Sequence, residues 1–205
     1  MGIKVLAFAT SPRRHGNSET LLDYLLASMA EEENVEIEKY ALTEIKINPC
    51  KGCNACERLN RCIQTDDDLP WVLDKIVEAD IVILASPIFC MGLCAQAKAL
   101  VDRSQVFRSR KYVLKLPVAP PERVGKRIGV FVATAGQNWD IVFDGAIPSV
   151  KCFFHVSDIK DRDIYYLMIN GVDHAGEIEQ HPTAREDARR LGKELIIRMR
   201  KMKER

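Results

Sequence analysis

The feature that most constrains this chain is an alternation of two kinds of apolar pattern. Short, almost wholly apolar runs occur at 3–9 (IKVLAFA), 80–86 (DIVILAS), 127–134 (RIGVFVAT) and 163–169 (DIYYLMI). Runs of this length, closed by Ser, Pro, Gly or Asn, suit strands buried on both faces. A further run, VEIEKYAL at 35–42, alternates apolar with polar and suits a strand near a sheet edge. Between them lie stretches with helical periodicity, at 18–33, 69–79, 94–107, about 140–155 and 183–202. Leu21, Leu22, Leu25, Leu26 and Met29 fall on one face of the first. Pro148 marks a kink or boundary in the fourth. Strands and helices in strict alternation imply an α/β fold with a parallel sheet covered on both faces. Five such units predict a three-layer, doubly wound domain over 1–205, with a five-stranded parallel sheet in the order 2-1-3-4-5.

Composition removes several classes of function. The 30 basic residues nearly balance the 29 acidic ones, so nothing in the charge points to nucleic acid or an anionic membrane as partner. No apolar run approaches a membrane span, and the first residues lack the pattern of a secretory signal. A cytoplasmic location is the expectation. Seven cysteines, unevenly placed, suit a reducing compartment, where clustered thiols serve metal or redox chemistry.

In a doubly wound sheet, ligands bind beyond the carboxyl ends of the strands. Three loops therefore carry most of the functional reading. The first, TSPRRHGNSETLL, sets Ser11, Arg13, Asn17, Ser18 and Thr20 around a helix start, where free N–H groups and the helix dipole favour an anion. An ordinary N-cap by Asn17 or Ser18 would also explain those residues. The second, Pro87-Ile88-Phe89-Cys90-Met91-Gly92, is apolar and follows a strand that Ser86-Pro87 is expected to end. The third, Thr134-Ala135-Gly136, is small enough for a ring to lie over its backbone, with Trp139 nearby. The first loop suits phosphate and the other two a planar ring. Together they describe a mononucleotide site, and FMN fits it better than NAD. Neither the P-loop nor the G-x-G-x-x-G spacing is present.

Between strand two and the next helix lies NPCKGCNACERLNRCIQTDDD, residues 48–68, with Cys50, Cys53, Cys56 and Cys62 in the spacing C-x2-C-x2-C-x5-C. Asp66 to Asp68 enrich the start of the following helix, where the dipole favours negative charge. The stretch 110–127, rich in Pro and charge, reads as an insertion before the fourth strand.

These segments resemble the iron–sulfur flavoproteins, a flavodoxin-fold family related to the NADPH-dependent FMN reductases. The resemblance extends over SPRRHGNSETLL, PCKGCNACERLNRC followed by DDD, ASPIFCMG, AQAKALVDR and AREDARRLGKEL. It implies FMN at the carboxyl edge of the sheet, one 4Fe–4S cluster per chain, and a homodimer or dimer of dimers. Carried over, Ser11, Arg13, Asn17, Ser18 and Thr20 would hold the phosphate. Pro87 to Gly92 and Thr134 to Gly136 would line the isoalloxazine ring. The insertion at 110–127 is where the chain departs from the family pattern.

Four thiolates are what a cubane cluster needs, and a tight C-x2-C-x2-C loop presents three of them on one side, leaving Cys62 as the fourth ligand. Zinc on four cysteines is an alternative, although structural zinc usually takes two short pairs separated by a longer loop. Free or disulfide-forming thiols are a third. Cys94 reads as core packing, and Lys98, Asp102 and Arg103 as local structural ion pairs along one helix. No catalytic acid, base or nucleophile stands out. The leading expectation is an electron-transfer flavoprotein with FMN and a 4Fe–4S cluster, fed by a ferredoxin-like donor and reducing a small-molecule acceptor. The alternative is an NAD(P)H-dependent FMN or quinone reductase without a cluster, and a zinc or thiol sensor module comes third.

Overall fold

A computed structural model describes residues 2–204. Among the described residues the sheet has six strands. They are β1 (Ile3–Ala9), β2 (Val35–Ala41), β3 (Ile81–Phe89), β4 (Gly92–Leu93), β5 (Ile128–Thr134) and β6 (Ile164–Ile169). The parallel order β2-β1-β3-β5-β6 is the expected 2-1-3-4-5, and the two-residue β4 pairs antiparallel with the end of β3. The helices are α1 (Asn17–Ala30), α2 (Cys56–Leu59), α3 (Leu69–Glu78), α4 (Ala95–Arg103), α5 (Gln105–Arg108), α6 (Ile147–Val156), α7 (Glu177–Gln180) and α8 (Ala184–Lys203). None is long and apolar enough to cross a membrane among the described residues.

The period-two pleat divides each strand between two cores. From β1, Val5, Ala7 and Ala9 join Leu21, Leu25 and Met29 of α1 and Leu195, Ile196 and Met199 of α8. Leu6 and Phe8 point the other way, toward Val72 and Ile76 of α3, Leu100 of α4, and Phe153 and Phe154 of α6. Burial on both faces is why these strands read as unbroken apolar runs.

Helices α1 and α8 approach closely at Gly192, where a Cβ would run into Ser28 Oγ and lie 3.0 Å from Leu25 O. Gly192→Ala would gain up to about 1 kcal/mol of helix propensity. Overpacking, at about 1–3 kcal/mol, outweighs it. The variant is expected to unfold at lower denaturant than wild type, and adding Ser28→Ala to restore part of the loss.

Three expectations need correction. The third strand does not end at Ser86-Pro87 but runs to Phe89. Its pairing with β1 stops at Ala85, whereas β5 continues alongside as far as Pro87 opposite Thr134. One side of β3 is free by then, so a proline without an N–H is tolerated. The helix expected over 140–155 starts only at Ile147; turns fill 140–146, and Pro148 sits in the first helical turn, where its missing N–H costs nothing. The helix expected to end at 107 continues through α5 into a π-turn at Ser109–Val113, closed by Leu114 N–H to Ser109 O at 2.9 Å.

Candidate functional site

At the carboxyl edge of β1, β3 and β5, a cavity of about 530 Å³ is lined by Ser11, Arg13, Gly16, Asn17, Ser18, Pro87, Ile88, Phe89, Thr134 and Gly136, with Val172, Asp173 and Ala175. Three loops far apart in sequence thus meet as expected. Gly16, not Asn17 or Ser18, is the N-cap of α1, and no side chain caps the helix. The first helical bond runs from Thr20 N–H to Gly16 O, so the N–H groups of Asn17, Ser18 and Glu19 have no partner within the helix. An uncapped helix start on a cavity is a place for an anion.

The side chains of the first loop divide their work. Arg13 faces the cavity, while Ser11 Oγ accepts the Arg13 N–H at 3.1 Å. Arg14 turns away and pairs with Glu19 and Glu44. Asn17 lines the cavity, yet its side chain is occupied. Its Nδ2 donates to Val172 O and His174 O at 3.2 and 2.9 Å, and its Oδ1 accepts from Gly176 N–H at 3.2 Å. It clamps the loop after β6 against the start of α1. Thr20 lies one turn into the helix and is not among the lining residues.

Glu19 went unnoticed in the sequence and is only 1% exposed. It accepts the His15 N–H at 2.7 Å and pairs with Lys39 at 2.8 Å and Arg14 at 3.2 Å. Burial by itself would raise its pKa; the hydrogen bonds from Lys39, Arg14 and His15 outweigh it and bring the carboxyl down to about 2. Glu19 therefore fixes the loop that carries Ser11 and Arg13.

The second of the three loops is a tight hairpin. Ile88 pairs with Leu93 and Phe89 with Gly92, and the turn is Cys90-Met91. Both turn residues have positive φ, 49° and 63°, as a type I′ turn requires. Neither is glycine, so the conformation costs about 1–2 kcal/mol per residue. Cys90, Met91 and Ala135 line a neighbouring depression with Gln137, Trp139, Val142 and Asp173 rather than the first cavity. The segment Val172–Ala175 was missed because only three strand ends were read. The same rule applied to Ile169, the end of β6, would have found it. Gly136 lets that segment close in: a Cβ there would sit 2.8 Å from Asp173 Cγ.

Cys94 is buried as expected, but in a polar setting. Its Sγ lies 3.2 Å from Thr10 Oγ1 and from Thr10 O. It fastens the start of α4 to the end of β1.

The cysteine segment forms a second, smaller cavity of about 370 Å³. Cys50, Cys53, Cys56 and Cys62 all line it, with Gly52, Asn54, Ile63, Gln64, Arg103, Gln105 and Val106. Left-handed φ at Gly52, Asn54 and Asn60 (64°, 53° and 54°) curls the segment around the cavity. Among the described residues, no three His, Cys, Asp or Glu side chains are gathered to hold a single metal ion.

The base of this segment is closed by the Asp66–Asp68 run. Asp68 accepts Lys46 N–H at 2.8 Å, Asp67 accepts Asn48 N–H at 3.0 Å, and Gln64 Nε2 donates to Pro49 O at 3.2 Å. These carboxylates tie the two ends of the segment together; Asp68, the N-cap of α3, makes no side-chain capping bond, but Asp67 Oδ1 accepts the Leu69 N–H at 3.3 Å.

Arg103 is the larger correction. Lys98 and Asp102 do form the expected local pair, at 2.7 Å, but Arg103 is 1% exposed and turned into the cysteine segment instead of pairing along its helix. Its Nη1 meets Asp67 Oδ2 at 2.5 Å and Asn48 O at 2.7 Å, and its Nη2 lies 3.4 Å from Cys62 Sγ. Burial raises the Asp67 carboxyl, but the Arg103 fork together with the Asn48 and Leu69 N–H groups outweighs it and holds the group below the usual range.

Residues 3–141 match the family described as NADPH-dependent FMN reductase. An iron–sulfur flavoprotein of Methanosarcina thermophila is 32% identical over 90% of this chain and 86% of its own length. This chain belongs to the iron–sulfur flavoprotein family. A second member, from Methanocaldococcus jannaschii, is 41% identical over 52% of this chain. The match spans only about half of that relative, 54% of its length, and 56% of an Archaeoglobus fulgidus relative that is 34% identical. Among solved structures, an NAD(P)H:quinone oxidoreductase from Methanothermobacter marburgensis has a TM-score of 0.67 at 17% identity, covering 95% of this chain and 96% of its own. An FMN-dependent NADH-azoreductase from Bacillus anthracis, solved with FMN, has a TM-score of 0.66 at 16% identity over 95% of this chain and 99% of its own. At those identities the shared property is the flavodoxin-like fold.

Proposed function

We propose that the chain is an electron-transfer flavoprotein that holds FMN at the sheet edge and a 4Fe–4S cluster on Cys50, Cys53, Cys56 and Cys62. In this reading a ferredoxin-like protein is the donor, a small molecule the acceptor, and the working form a homodimer or dimer of dimers. The observation that carries it is the meeting of all four cysteines on one cavity. The residues fit an anionic multi-iron group. Arg103 lines the cavity, is buried, and keeps an Nε–H with no partner among the described residues. Cys56, the most buried of the four, already receives the Ser109 hydroxyl.

For FMN, the N–H groups of Asn17, Ser18 and Glu19, with Arg13 and the hydroxyls of Ser11 and Ser18, would bind the phosphate. Pro87, Ile88, Phe89, Thr134 and Gly136 would flank the ring, with Cys90, Met91, Gly92 and Ala135 shaping its outer rim. Thr20 supports the helix start from one turn further on. When bound, FMN exchanges one or two electrons and the cluster one at a time, so together they join a single-electron carrier to a one- or two-electron acceptor.

The depression beside the ring pocket, with Trp139 on its edge, favours a second reading. It leaves room for a nicotinamide, so NAD(P)H would be the donor and hydride would enter the flavin directly. Rapid mixing of the anaerobic holoprotein separates the two. Flavin bleaching is expected to be faster with reduced ferredoxin than with NADPH or NADH; faster bleaching by either nicotinamide would move the assignment to a reductase.

A further inference from the structure

Two buried donors face the cysteine segment from a single helical run. Residues 95–113 form α4, α5 and the π-turn in unbroken succession but for Ser104. Arg103, at the end of α4, reaches Cys62 Sγ at 3.4 Å. Ser109, at the start of the π-turn and wholly buried, reaches Cys56 Sγ at 3.2 Å. The π-turn belongs to this arrangement, since inserted π-turns recur at functional sites and re-aim the residues they carry. Arg103 is not free to turn aside. Arg103 is held by the buried Asp67 at 2.5 Å, and also by Asn48 O at 2.7 Å and Gln64 O at 3.4 Å. Asp67 in turn accepts the Asn48 N–H, so one ion pair locks both ends of the cysteine segment and aims a cation at its fourth thiol.

We infer that Arg103 and Ser109 are positioning residues for the cluster: they hold the Cys62 and Cys56 thiolates in place by hydrogen bonds and raise the cluster's reduction potential. The inference rests on the proposed cluster site. Its chemistry is general. A donor aimed at a ligand sulfur stabilises added negative charge, which favours the reduced form, and outer-shell partners govern how firmly the metal is kept. A local ion pair along one helix, of the kind read from the sequence, would do neither.

The test uses anaerobically purified wild type, Ser109→Ala and Arg103→Lys. Each is assayed for iron, acid-labile sulfide and FMN, for the rate at which a chelator removes iron, and for the midpoint potential followed by the EPR signal of the reduced cluster. All three proteins are expected to hold equal FMN. Ser109→Ala is expected to keep its iron and titrate at a lower potential. Arg103→Lys keeps the charge but not the fork, and is expected to lose iron roughly tenfold faster, the lower end of what outer-shell changes cause. Wild-type potential in Ser109→Ala together with wild-type iron loss in Arg103→Lys overturns the inference and leaves the cluster assignment standing. Should Arg103→Lys also lose FMN, its fold is damaged and Ser109→Ala decides alone: a lowered potential supports the inference and an unchanged one overturns it. Wild-type protein without iron or sulfide overturns both the inference and the cluster.

Discussion

Cys56→Ser protein is expected to lose nearly all of its iron and sulfide while keeping FMN at the wild-type level. Cys56 is the least exposed thiol of the four and opens the single turn α2, so its sulfur is the one most firmly placed by the fold. Serine has the same shape but no thiolate to offer an iron, and a cubane short of one ligand is readily lost. The FMN cavity shares no lining residue with the cysteine cavity, so the flavin has no reason to follow. Cys152→Ser is the control, since that thiol is exposed on α6, away from the segment. Iron retained in Cys56→Ser would exclude Cys56 as a ligand, and iron lost equally in Cys152→Ser would show a general thiol effect.

The second large effect is expected at Glu19. Glu19→Gln keeps an acceptor for the His15 N–H but loses the charge that Lys39 and Arg14 share. The native carboxyl sits at about 2, against an ordinary 4.5. Its contribution to stability is therefore fully present above about pH 4.5 and is lost as pH falls from there toward 2. Two and a half pKa units correspond to about 3 kcal/mol. Wild type should accordingly lose stability on acidification through that window, and Glu19→Gln should start lower at neutral pH and lose less. Because Glu19 also fixes the loop bearing Ser11 and Arg13, the variant is expected to release FMN more readily. Equal neutral stability in the two proteins, from urea unfolding, would remove Glu19 from this role.

Much of the fold was legible because a doubly wound sheet writes itself into the sequence twice. The two-sided burial of β1, β3 and β5 produces apolar runs, and the faces of α1 and α8 produce helical stripes. The exact end of β3 was not legible. Whether a proline can continue a strand depends on which neighbours are still paired at that point, and Pro87 has one neighbour left. The lining of the two cavities was legible where composition carried it, in Ser11, Arg13, Pro87 to Phe89 and the four cysteines. It was hidden where roles depend on partners distant in sequence. Asn17 looked like a phosphate ligand or cap and proved to be a clamp for residues 172–178. Arg103 looked like part of a local ion-pair ladder along its own helix, because nothing in AQAKALVDR foretells a buried carboxylate at Asp67. Glu19 read as a routine acidic residue in a helix's first turn, whereas Lys39, on the neighbouring strand β2, makes it a buried hub.

In the proposed function, one chain holds both FMN and a cubane cluster. The most direct measurement is iron, acid-labile sulfide, zinc and FMN per chain on protein purified without oxygen, together with the EPR spectrum of the reduced sample. About four iron and four sulfide beside one FMN, as a single 4Fe–4S cluster requires, is the predicted result. One FMN with stoichiometric zinc, or with neither iron nor sulfide after reconstitution, would contradict it.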